Sequence, residues 1–326
     1  MKNAAKFIYI LPILAVFICI NFGSSQVDMA QILNELKPYL AGKEVSADAS
    51  IIFDIRLPRV ILAVLVGAIL SGSGAVMQGI FKNPLVDPFL LGVSSGAAFG
   101  CALSIGLFPE IPTQILAFSV SVACAFLVLF IANLSGGGKI ALILSGVVLS
   151  AFLSAFTGLI KFFIDPRHVQ AITMWLLGSF SLADWDSVVI AFLAILGGFV
   201  PIYLISWRID ILSLDDTEAQ TLGVSVKYMR IFIIILLSFS CALAVSLSGI
   251  IGWIGLLTPH IARFIVGPSM KSLIPASLCI GGFLLLIADT MARSASVYDL
   301  PVGIITAIIG APFFVILLKK ARQDWS

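Results

Sequence analysis

The sequence predicts an all-α membrane protein that crosses the bilayer about ten times, since an apolar run of roughly 20 residues is what one helical crossing needs. Three observations carry this. Of the 326 residues, 60% are hydrophobic and only 11% charged, whereas soluble domains carry about 25% charged residues. The mean hydropathy is +1.14. The apolar residues are gathered into long runs between short polar breaks, which makes residues 1–326 read as one transmembrane domain.

The runs lie at 7–22, 59–81, 89–108, 113–134, 140–164, 187–207, 229–248, 250–267, 272–293 and 301–318. The first follows Lys2 and Lys6, as a signal peptide would, but no small-x-small cleavage site comes straight after it. It therefore reads as a retained first helix. An even number of crossings puts both termini on one side. With that side cytoplasmic, the inner segments hold twelve of the lysines and arginines and the outer segments seven. The positive-inside rule then favours a multi-pass protein of the cell (inner) membrane with both termini in the cytoplasm.

Between the first two runs, Asp28 and Gln31 have the spacing of a capping box. Met29, Ile32, Leu33 and Leu36 then line one face of a short surface helix expected to end at Pro38. Arg56 and Arg59 stand at the mouth of the second run, either as interfacial anchors or as a dock for an acidic partner. Along that run Ala63, Gly67, Ser71, Ala75 and Gly79 recur every fourth residue, a stripe along which another helix can approach closely. The segment Ser135-Gly136-Gly137-Gly138-Lys139 is permissive in backbone and reads as a flexible connection or a moving gate. Residues 165–186 form an outer excursion with a helix-like middle and a stop at Gly178 and Ser179.

The widest polar window is 208–230, with seven charges (Arg208, Asp210, Asp215, Asp216, Glu218, Lys227 and Arg230) between two apolar runs. Isolated charges are costly within a bilayer, so this loop faces water. It reads as two short helices broken at Gly223, with Asp215 or Asp216 as N-caps and Leu222, Val224 and Val226 as apolar knobs. Further on, Gly249, Gly252, Gly255 and Pro259 interrupt the eighth run, and broken backbone at membrane depth needs cover from protein or a water-filled cavity. Asp289 and Arg293 lie four apart, a spacing that permits an ion pair.

Several function classes drop away. A net charge of +2 gives no footing for nucleic acid. The five cysteines are scattered singly through apolar runs without a C-x-x-C pair, so neither a disulfide framework nor a metal site is expected. Gly92-Val93-Ser94-Ser95-Gly96 matches the nucleophile elbow of hydrolases, but it opens a membrane helix with no histidine nearby, and no catalytic residues or cofactor are expected. No phosphate-binding G-x-x-x-x-G-K-[ST] loop occurs. The near absence of charge in mid-span weighs against the alternative, a secondary transporter driven by an ion gradient.

A set of motifs runs in order along the chain: Ile55-Arg56-Leu57-Pro58-Arg59, Ser73-Gly74-Ala75-Val76-Met77-Gln78, Asn83-Pro84-Leu85, Asp87-Pro88, Leu91 to Ala97, Gly252 to His260 and Leu300-Pro301-Val302-Gly303. Together they closely resemble the permeases of the iron-chelate and cobalamin uptake family of ATP-binding-cassette (ABC) importers. The resemblance implies the type II importer fold and passage of a ferric siderophore, haem or cobalamin. It implies a homodimer served by two cytoplasmic ATPase subunits and an extracytoplasmic substrate-binding protein. It implies binding-protein docking at Arg56, Arg59 and Arg293, and ATPase coupling through Asp216, Glu218, Ala219, Leu222, Gly223 and Val224. The cytoplasmic gate would be Ser135, Gly136, Gly137 and Gly138, beside a path lined by the fifth run. Charge reversal at Arg56 and Arg59 is then expected to weaken docking without unfolding the bundle.

Overall fold

A computed structural model describes residues 2–22, 29–295 and 299–324, with side chains over 7–22, 34–295 and 299–315. Asp28 of the expected capping box lies outside the described residues. Among them, six helices are long and apolar enough to cross a membrane, and four shorter apolar helices, Phe7–Cys19, Val93–Leu107, Ile254–Val266 and Val302–Val315, fall where four further runs were expected.

Helix α1 (Lys2–Cys19) leads to α2 (Met29–Leu40), α3 (Ala47–Ser50) and then α4 (Leu57–Phe81). Helix α2 does not stop at Pro38. It runs one further turn to Leu40 and closes at Gly42, where a φ of 67° lets Lys43 N–H reach back to the Pro38 carbonyl. Pro38 removes a single amide bond near the end of the helix, which one turn tolerates. The chain from Ala47 to Phe81 is continuous helix over 35 residues, widened to a π-turn at Ile51–Arg56 just before Pro58. The wide turn takes the preceding carbonyl out of the way of the proline ring.

Helix α4 is the axis of the molecule. Its small stripe faces α14 (Met270–Ser294): a side-chain carbon on Gly67 would lie 2.4 Å from the Gly281 carbonyl, and one on Gly281 would lie 2.2 Å from Ser71. No larger residue fits at either glycine. Ser71 Oγ donates to the Ser277 carbonyl at 2.7 Å and meets Thr258 Oγ1 of α13 (Ile254–Val266), so both of these buried hydroxyls find partners across the helix interfaces.

Beyond a 3₁₀ turn at Pro88–Leu91, α5 (Val93–Leu107) packs on α6 (Thr113–Leu134), with α7 (Lys139–Phe163) beside them. The exposed face of α7 carries Ala151, Phe152, Ser154, Ala155 and Gly158, and space beyond Gly158 is open. The excursion after it is α8 (Pro166–Leu176), started by the Asp165 side chain and followed by Gly178 at φ 73°. Helix α9 (Trp185–Leu204) then returns against α4 and α12 (Val226–Ser248).

The interruption of the eighth run is confined to Gly249–Trp253. Gly249 and Trp253 have φ of 71° and 73°, and the helix resumes at Ile254 and passes straight through Pro259. The proline does not break it, because the freed Gly255 carbonyl is received in the notch left by Gly74. Around this gap three segments are laced by main chain alone. Ser179 N–H donates to the Ser248 carbonyl at 2.8 Å, Val302 N–H to Gly178 at 2.9 Å, and Gly303 N–H to Leu177 at 3.0 Å. The start of α15 (Val302–Asp324) is thereby tied to the end of α8 and the end of α12.

Candidate functional site

Charged side chains gather in two junctions, one at each end of α4. From Arg59 to Lys82 the helix rises about 35 Å at 1.5 Å per residue, close to the thickness of a membrane core.

At the first junction Arg59 is held by two carboxylates from distant segments. Its Nη2 and Nε donate to Asp289 at 2.8 and 3.0 Å, and its Nη1 and Nη2 to Asp299 at 2.5 and 3.1 Å. Asp289 is wholly buried, and Arg293 lies one turn further on with its Nε 3.8 Å away, which realises the expected pair. Arg293 Nη2 donates to the Cys19 carbonyl at 2.5 Å and Arg56 Nη1 to the Ile20 carbonyl at 3.2 Å. Both cations thus serve the carbonyl end of α1, where the helix dipole favours positive charge. The structure brings Arg56, Arg59 and Arg293 together as the motifs implied, but as buried groups with 6%, 8% and 9% exposure. Reversing Arg59 would set a third acid against Asp289 and Asp299, so charge reversal there is corrected to a destabilising change.

Asp299 is the exposed member and also accepts from Ser181 Oγ at 3.0 Å. Burial pushes its carboxyl up, but the hydrogen bond and charge of Arg59 outweigh that and hold it below the usual carboxylate range. Beside it opens a cavity of about 420 Å³ whose wall includes Thr113, Gln114, Trp175, Ser181, Ser248 and Asp299. Nothing local in the sequence marks Asp299 as the partner of a residue 240 positions away.

The second junction is built on the charged loop. Its two short helices are α10 (Ser206–Leu212) and α11 (Asp216–Thr221), so the break lies at Ser213–Asp215, and Gly223, at φ 80°, ends α11 instead of dividing the pair. Asp215 is the N-cap of α11, in a capping box with Glu218. Of the three expected knobs only Leu222 projects, 56% exposed, while Val224 and Val226 are buried along with Ala219. Those three fix the loop to the bundle, and Leu222, like Leu214 and Tyr228, leaves its apolar side chain exposed.

Asp216 joins three elements. Arg230 Nη2 of α12 donates to both of its oxygens at 3.1 and 3.2 Å, and Lys139 Nζ, at the start of α7, lies at 3.4 Å. Burial raises the Asp216 carboxyl, but Arg230 and Lys139 outweigh it and hold the group below its ordinary value. Lys82, which closes α4 in a left-handed conformation, pairs with Asp215 at 3.5 Å. The glycine segment lies alongside: Gly136 and Gly137 have φ of 95° and 74°, and the Lys227 side chain is the nearest neighbour a Cβ on Gly137 would meet. Nearby, His260 Nε2 bonds the Pro84 carbonyl at 3.0 Å, and Arg263 donates to Gln78 at 2.9 Å, which makes His260 a structural tie. Asp87 caps the 3₁₀ turn through Phe89 N–H, and burial, only partly offset by that hydrogen bond, pushes its carboxyl up to about 6.

Two features bear on chemistry. Among the described residues no group of three or more His, Cys, Asp or Glu is placed to hold a metal. Ser95 Oγ bonds Ser150 at 2.9 Å and the Gly92 carbonyl, a helix-packing contact within the G-x-S-x-G run.

Comparison with known proteins covers almost the whole chain. The model of the FecCD transport family matches residues 10–320. The chain is 48% identical over 314 residues, 95% of its own length and 96% of the relative's, to the "Probable iron chelatin transport system permease protein" of Helicobacter pylori. It is 36% identical over 96% of its length, and 94% of the relative's, to the molybdate import system permease protein MolB of Haemophilus influenzae. Among solved structures, a metal-chelate type ABC transporter in an inward-facing conformation aligns with a TM-score of 0.86 at 34% identity, covering 98% of this chain and 100% of the other.

Proposed function

The chain belongs to the FecCD transport family, and from that premise we propose that it carries an iron chelate, as one half of a homodimeric pore. It is a permease subunit of an ABC importer of the metal-chelate class, a transport subunit and not an enzyme. Its partners are ATPase and substrate-binding subunits. The observation that carries the iron-chelate reading is the 48% identity, along nearly the full length of both chains, to the iron chelatin permease.

In this reading the whole of 1–326 is one transmembrane unit with both termini in the cytoplasm. The Arg59 junction then faces outward and receives an acidic face of the binding protein, with Arg56, Arg59 and Arg293 as the cations. The Asp216 junction faces inward. There Asp216, Glu218, Leu222 and Gly223 offer an ATPase subunit a polar helix with one apolar knob, while Ala219 and Val224 hold that helix to the bundle. The glycines 136–138, with Ser135, form the inner gate. Two copies of α7 line the path; its unpartnered face of small residues, hydroxyls and aromatics supports this. ATP-driven closure of the ATPase pair changes which side of the path is open.

Proteoliposomes with the permease, its ABC ATPase and its binding protein test the reading. Uptake of radiolabelled iron as a siderophore chelate should require ATP inside, and the permease alone should hydrolyse none. Uptake that persists without ATP and collapses with the ion gradient would overturn it. Uptake of molybdate in place of iron would overturn the cargo alone.

A further inference from the structure

The two elements assigned above to coupling and to gating are far apart in sequence, yet one carboxylate joins them. Lys139 is the first residue of α7, where the helix dipole is positive and a cation is unfavourable. Local structure gives no reason for a lysine there. Arg230 is buried to 5% exposure in the first turns of α12, and a buried cation needs a counter-ion. Both needs are met from outside their own helices by Asp216, the first residue of α11. The carboxylate is only 44% exposed, and the lysine and arginine side chains 21% and 6%. These are not freely solvated surface pairs, whose contribution is small.

The geometry is that of a crank with one fixed and one moving end. Arg230 ties α11 to α12, which packs against α4, α6 and α9 in the body of the bundle. Lys139 ties the same carboxylate to the residue directly after Gly138. Gly136 and Gly138 have no atom within 4 Å of an added side chain, so packing does not hold this segment.

We infer that the Asp216–Lys139 ion pair is the link through which displacement of the coupling helix moves the inner gate, with Lys139 as a positioning residue for the gate. The inference rests on the importer reading of these two loops. It predicts that cutting the link at Lys139 separates ATP hydrolysis from transport, because α11 remains anchored by Arg230 and its ATPase-facing surface is untouched.

The test uses the complete transporter and, separately, the purified permease in lipid nanodiscs. In the complete transporter Lys139→Ala should leave ATP hydrolysis near wild type and lower uptake by about fivefold or more, the lower end of typical coupling between sites. Lys139→Arg, which keeps the charge, should restore uptake. In the permease alone, a nitroxide on Ser135→Cys in a Cys279→Ser background should move faster after Lys139→Ala and as in wild type after Lys139→Arg. Wild-type uptake and label motion in Lys139→Ala would overturn the link, and so would equal loss in Lys139→Ala and Lys139→Arg. A wild-type permease that binds no ATPase would instead overturn the importer reading; the nitroxide comparison still decides whether the ion pair holds the gate.

Discussion

The two ends of α4 use the same chemistry at different depths. At the Arg59 end the Asp289 side chain has no exposure, and the Arg59 side chain bonded to it has 10%. At the Lys82 end the paired carboxylates are 44% and 76% exposed. Coulomb attraction strengthens and desolvation grows as water is excluded, so a buried pair is expensive to separate and a half-solvated one is easily exchanged. The first junction is thus a fixed clasp with one replaceable member, Asp299, and the second keeps one buried tie, Arg230 to Asp216, beside two more solvated lysine pairs that yield more easily. With the orientation proposed above, a fixed outer end and a yielding inner end suit a machine driven from the inside.

The largest test of that contrast is Asp289→Ala. It leaves Arg59 with the partly exposed Asp299 alone and takes the carboxylate from beside the buried Arg293, and breaking one side of a buried pair costs about 3–5 kcal/mol. Thermal unfolding in detergent should show a large fall in midpoint, and a fall no greater than that of a surface substitution would erase the distinction between the ends. Arg59→Glu should be at least as damaging, by the same measurement. Asp299→Asn should cost much less, about 1 kcal/mol or under, as for a partly exposed pair. It should also tighten binding-protein docking, read by titration of the binding protein onto the permease, because Arg59 loses its replaceable partner.

The Asp216 end sharpens the contrast through pH. The Asp216 carboxyl is depressed, so its contribution is complete above the ordinary carboxylate range and is lost as pH falls through its lower folded value. Motion of a label at Ser135 should therefore rise only in strongly acidic buffer, where Asp216 loses the charge that faces Lys139 and Arg230. Asp87 has the opposite sign. With its carboxyl raised from 3.8 to about 6, its charge opposes folding increasingly as pH climbs from about 4 to 6 and fully above that. Asp87→Asn should therefore raise the unfolding midpoint at about pH 8 and lose that advantage as pH falls towards 4. The smallest effect belongs to Lys82→Ala, whose exposed pair is worth under about 0.5 kcal/mol.

Much of the fold was legible because it follows from local pattern. Apolar runs located the ten hydrophobic helices of the described residues, a four-residue repeat of small residues located the face of α4, and the spacing of Asp289 and Arg293 located half of the Arg59 clasp. Prolines misled where their surroundings decided the outcome. Pro38 falls at a helix end that could lose one bond, and Pro259 sits opposite a glycine notch contributed by α4. The partners of Arg59 and Lys139 were not legible at all. Each ion pair closes a loop of many tens of residues, and a lysine at a helix start or an aspartate before Leu300-Pro301 looks the same whether paired or solvated. Burial of Val224 was hidden for a related reason: alternation within a short loop does not say which side meets the bundle.

The lacing of Leu177, Gly178 and Ser179 to Ser248, Val302 and Gly303 is made of amides and carbonyls. Every amino acid except proline supplies that amide. The side chains of Leu177, Ser179, Ser248 and Val302 take no part in these bonds and can change with the neighbouring cavity while the seam stays shut. Gly178 and Gly303, by contrast, are held to glycine, since an added carbon would lie 2.8 Å from Ile251 and 2.3 Å from the Leu177 carbonyl. A proline at Ser179, Val302 or Gly303, or any side chain at Gly178 or Gly303, would unpick it.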